Sequence, residues 1–169
     1  MTHDDVSPWL FRGIYLFGIA LFVTAAIDLL TTVWPMHPGD IAWRYGFLGL
    51  MAGYLQTPTI GLLLIIGTAL WEENGMVLRV SGVVGLLAAL GLVMAMGMFG
   101  LDVMQMRELR AEEMRSSVLA GGMFQEVKYF IATFVLAFVG HGALKTAQTA
   151  QLQTGGRSDS SPGIVSAAS

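Results

Sequence analysis

Three charged residues in otherwise apolar surroundings are the first that could do chemistry: Asp28, Arg44 and Asp102. Two carboxylates and a guanidinium gathered near one membrane face could relay protons or hold an ion. The same trio could instead lock three helices together, because a charge taken into hydrocarbon costs a few kcal/mol at least unless it is partnered. A proton path asks for further titratable groups deeper in the bilayer, and the chain supplies only His141, towards the other face. The expectation is a structural ion-pair lock between Asp28, Arg44 and Asp102.

The second constellation is the polar breach Gln56-Thr57-Pro58-Thr59, set in 27 residues, from Tyr45 to Trp71, that carry no charge. On an interrupted membrane helix such a breach can form a midplane substrate or ion site. Pro58 also has a purely structural effect. It has no N–H and its ring crowds the carbonyl of Tyr54, which predicts a kink there. In lipid the freed carbonyl needs a donor, from Thr57, Thr59 or a neighbouring helix. No other span repeats the pattern, so the kink is the expected reading and an inverted-repeat transporter has no support.

The third is His141, flanked by Gly140 and Gly142 and four residues after Ala137. An imidazole on a membrane helix can ligate a haem iron or a chlorophyll magnesium, and small neighbours let a macrocycle approach. The Ala-x-x-x-His spacing resembles the pigment-binding motif of bacterial light-harvesting polypeptides, which implies a macrocycle ligand at His141. The alternative is a histidine hydrogen-bonded near the interface, with no cofactor at all. No cysteine is present, and no Gly-x-Ser-x-Gly, His-Glu-x-x-His, phosphate loop or dinucleotide fingerprint occurs. Thiolate and cysteine-ligated metal chemistry are therefore excluded, no motif points to nucleotide binding, and no enzymatic activity is expected.

The elements that must position these residues follow from hydropathy. The chain is 54% hydrophobic and 12% charged, with mean hydropathy +0.65. Soluble domains carry about a quarter charged residues. The fold class is all-α: a polytopic membrane protein with four transmembrane helices in one bundle, spanning about residues 11–33, 43–71, 77–103 and 124–146. Trp9, Trp34, Trp43 and Trp71 bracket the first two spans, as interface-seeking indoles do. Stepping by three and four places Gly18, Leu21, Ala25, Asp28 and Thr32 on one face of the first span. In the third it places Ser81, Gly85, Ala88, Gly91, Ala95, Met98 and Asp102. Small and polar faces of this kind let membrane helices pack closely. The third helix is expected to project beyond the bilayer until Gly121-Gly122 breaks it. The fourth span has only 16 residues between Lys128 and Lys145, so both lysines should snorkel. Residues 1–154 form the membrane domain, and 155–169 read as a flexible polar tail.

Arg12, Arg79, Lys145 and Arg157 fall on the side of the termini, against Arg44, Arg107, Arg110, Arg115 and Lys128 on the other. The densest cluster follows the third span, which points to a cytoplasmic loop over 104–123. The net charge of −3 and the lack of a basic stripe argue against nucleic acid. The function expected is that of a non-catalytic accessory subunit of a larger complex in a bacterial inner membrane, photosynthetic or respiratory. Its partners would be other membrane subunits and lipids. The alternatives are a small transporter or channel using the breach, and a pigment or haem carrier through His141.

Overall fold

The computed structural model describes residues 8–109 and 112–155, which form one helical bundle with short connections. The helices are α1 (Pro8–Val33), α2 (Ile41–Tyr54), α3 (Gln56–Trp71), α4 (Gly75–Leu109) and α5 (Glu112–Gly155). Four stretches are long and apolar enough to cross a bilayer: Trp9–Val33, Ile41–Trp71, Gly75–Leu109 and Met114–Thr149. The chain is thus a multi-pass membrane protein, with no strand among the described residues.

Local sequence sets the helix ends. Pro8 opens α1, where the missing N–H matters least. Pro35 and Pro38 keep the chain from resuming it. Asp40 caps α2, its Oδ1 accepting from the Ala42 N–H at 2.9 Å. Pro58 separates α2 from α3 at a single residue, Leu55. The ladder bonds on either side survive, from Leu55 N–H to Met51 O at 3.1 Å and from Thr59 N–H to Leu55 O at 3.2 Å. The kink therefore costs the helix little more than the bond that Pro58 cannot donate. Thr59 is the hydroxyl of the breach that turns to this backbone, but it donates to Leu55 O at 2.7 Å rather than to the Tyr54 carbonyl.

At the other end of α3 the Asn74 N–H donates to Ala69 O at 2.9 Å and the Glu73 N–H to Leu70 O at 3.4 Å, a Schellman pattern. Asn74 also caps α4, its Oδ1 accepting from Val77 N–H at 3.2 Å. The left-handed position of this turn falls on Glu73, at φ 55°, where glycine is the usual occupant. Glu73→Gly is expected to stabilise the bundle by about 0.5–1 kcal/mol. The check is a higher thermal midpoint in detergent; an unchanged or lower midpoint counts against it.

Two backbone crossings hold the bundle together. A Cβ on Gly61 would meet Gly18 O at 2.6 Å, so α1 and α3 touch main chain to main chain. A Cβ on Gly140 would meet Gly82 O at 2.9 Å, and α4 and α5 touch likewise. The Tyr15 hydroxyl adds a clip between α1 and the end of α3, donating to Glu72 Oε2 at 2.7 Å.

The packed faces differ in part from those expected. On α1 the buried positions are Gly18, Ala25 and Val33, the last lying two steps of four beyond Ala25, which leaves Asp28 and Thr32 exposed. On α4, Ser81, Gly85, Ala95 and Asp102 are buried as expected, but Leu92 and Phe99 take the places assigned to Gly91 and Met98. A face chosen for small residues misses large side chains that fill space between helices. Nor do Gly121 and Gly122 break a helix. Both lie within α5, which begins at Glu112, and Gly122 is a notch for Val103, whose Cγ2 would stand 2.7 Å from an added Cβ. α4 runs past residue 103 to Leu109, as expected of a third helix that continues beyond its span. Of the expected tail, residues 156–169 lie outside the described residues; Gly155 closes α5.

Candidate functional site at the membrane interface

Asp40 fixes the first turn of α2, and that turn directs Arg44 towards α4. There the Arg44 Nη2–H donates to Asp102 Oδ1 at 2.8 Å and its Nε–H to Oδ2 at 3.3 Å. The guanidinium thus grips the carboxylate with two bonds, a geometry that lysine does not reproduce. Its Nη1–H donates to Pro38 O at 3.1 Å, which ties the α1–α2 connection into the same knot. The Asp102 side chain is 4% exposed and that of Arg44 26%, so the acid is sealed while the base keeps a route to the interface.

Under this pair lies an aromatic layer that the sequence did not single out. The Tyr45 and Phe99 rings stack 5.5 Å apart, and Phe99 meets Tyr129 at 6.1 Å and 50°. Tyr129 is fully buried, and its hydroxyl donates to Leu48 O at 2.6 Å. Phe99 and Tyr129 face the interior while Phe134 and Phe138 face outward. The signal available in the sequence was the phenol hydroxyl of Tyr129, a polar group that needs a partner at depth.

Asp28 is not part of the pair. It is exposed on α1, and among the described residues no side chain bonds to its carboxylate. Only its backbone carbonyl is engaged, by the hydroxyls of Thr31 at 3.0 Å and Thr32 at 2.7 Å. The expected three-member lock is therefore a two-member pair. Helix α1 packs mainly on α3 through Gly18, and this turns Asp28 to its flank, away from Arg44.

Gln56 is exposed, and Thr57, Pro58 and Thr59 are half-buried. Gln56 and Thr59 line a groove of about 320 Å³ between α3 and α5, together with Lys128, Ile60, Leu63 and Ile131. Gln56 thus opens sideways along the outer surface of α3, while Pro58 and Thr59 line a second groove of about 350 Å³ towards α1 and α4, with Phe22, Leu62 and Val84. His141 lies exposed on α5, on whose outer face Phe134 and Phe138 stack at 6.3 Å and 12°. Of its two glycine neighbours, Gly140 is taken up by the contact with Gly82, and Gly142 has open space around it. Among the tryptophans, Trp9, Trp34 and Trp71 are exposed. Trp43 is half-buried, donating from Nε1 to Val33 O at 3.2 Å and stacking on Phe47 at 5.2 Å. It fastens the end of α1 to the start of α2. No cluster of three or more histidine or acidic side chains able to hold a metal occurs among the described residues.

Comparison of the chain with protein-family models, with curated proteins and with solved structures finds no match.

Proposed function

We propose that this chain is a non-catalytic integral subunit of a larger membrane assembly, to which it contributes helix faces. The observation that carries this reading is Asp28, a carboxylate about 9 Å inside Trp34 along α1 that meets no partner among the described residues. A charge so placed in hydrocarbon is costly, and a partner for it would come from outside the described bundle. The exposed Gln56 amide, also within a membrane span, makes the same demand. Because Gln56 opens sideways, the breach favours a helix contact over a transport path. Within an energy-converting complex of a bacterial inner membrane, photosynthetic or respiratory, the outer face of α5 around His141 would lie open to a pigment or haem.

Extraction of the source membranes in mild detergent, followed by native mass measurement, tests the reading. The expected result is co-migration with other chains at a mass well above 18.2 kDa. Recovery as a lone 18.2 kDa species in every mild detergent overturns it. An absorbance spectrum of the same fraction tests the part about His141, which a fraction without a haem or chlorin band rules out.

A further inference from the structure

Asp28 and Lys128 stand at about the same depth on different helices. The Val33 carbonyl is level with Trp43, to whose indole it is bonded, and Asp28 lies five residues, or about 7.5 Å, below Val33 on α1. The Leu48 carbonyl lies five residues below Trp43 on α2, again about 7.5 Å, and it is bonded to Tyr129, the neighbour of Lys128. Both side chains are exposed, neither has a bonded partner among the described residues, and no Cα of α1 lies within 8 Å of one of α5. They are opposite charges that do not meet within one copy.

Both also open on the same side of the bundle. On α1, Phe22 and Asp28 lie three residues before and after the buried Ala25, hence on opposite flanks. Phe22 lines the grooves that run towards α4, which leaves Asp28 on the flank away from α4. On α3, Leu62 turns towards α4, and Ile60, two residues earlier, stands across the helix from it in the α3–α5 groove with Gln56 and Lys128. Thr24, one turn deeper than Asp28 on α1, is exposed as well.

Resting on the subunit reading, we propose that the occupant of this groove is α1 of a second copy of the chain, which places Asp28 of each copy against Lys128 of the other across a two-fold axis along the membrane normal. Such an interface is self-complementary, so it closes as a dimer. Each acid gains a cation at its own depth, and Gln56 gains the polar flank of the neighbouring α1 instead of acyl chains.

The test is single-molecule photobleaching of labelled full-length protein in vesicles of zwitterionic lipid. The wild type is expected to give mostly two-step traces. Asp28→Lys and Lys128→Asp each set like charges opposite one another twice, and each should weaken association about tenfold or more. An equimolar mixture of the two variants should dimerise again, because each then supplies what the other lacks; this recovery also shows that both are folded. Dimers that persist in the single variants, or a mixture that stays monomeric, overturn the proposal. A wild type that is monomeric in vesicles yet co-migrates with unrelated chains in native extracts overturns the second copy and leaves the subunit reading standing. A wild type that is solitary in both experiments ends both.

Discussion

Gly61→Leu is expected to force α1 away from α3 and destabilise the bundle by about 2–3 kcal/mol, whereas Gly53→Leu, on the same kinked pair of helices, should be neutral. The contrast comes from what an added side chain meets. At Gly61 the first atom is a backbone oxygen, Gly18 O at 2.6 Å, with Leu21 Cβ at 3.3 Å behind it. Neither can rotate aside, so the helices must separate, and overpacking of this kind typically costs 1–3 kcal/mol or so. At Gly53 nothing lies within 4 Å. Helix α1 is the least covered of the membrane-crossing helices, so little else would hold it in place. Unfolding in detergent and protease access to the α1–α2 connection both report the difference. Equal stabilities for the two variants would show that the main-chain contact is not what joins α1 to the rest.

A second large effect is expected at the ion pair, and its order is informative. Arg44→Leu should lower the thermal midpoint more than Asp102→Leu. Removing the arginine strands a carboxylate whose side chain is only 4% exposed, whereas removing the acid frees a guanidinium that is 26% exposed and can swing to the interface on its alkyl stem. Breaking a buried pair by taking one partner is the damaging change; replacing both by apolar residues of similar volume is often tolerated. The double variant Arg44→Leu/Asp102→Leu should therefore recover most of what Arg44→Leu loses. Thermal midpoints of the four proteins, measured as a double-mutant cycle, decide it. Additive losses would mean that the two residues act independently.

The bundle was legible in the sequence because oil allows a backbone few forms: long apolar runs between polar turns had to be helices. Arg44 and Asp102 were legible for a similar reason, since charges inside spans are rare and have to find one another. Asp28 was misplaced by the difference between a step of three and a step of four from Ala25. The aromatic layer of Tyr45, Phe99 and Tyr129 escaped because lipid and protein interior are both apolar, so hydropathy does not distinguish Phe99 from Phe134. Gly121 and Gly122 were read by the rules of soluble helices, where paired glycines break the chain, but Gly122 receives Val103 as a notch in a continuous helix.

The single-residue interruption at Leu55 makes the second crossing a jointed rod. Its lower limb is fastened mainly to α1, through Gly61 and Gly18, while its upper limb is fastened to α4 and α5 through Arg44 and Leu48. A bilayer thinner than the rod is long can be met by flexing at this joint, where a ladder bond is already missing, rather than by tilting the whole bundle. Membrane thickness would then be taken up as an angle between two rigid limbs.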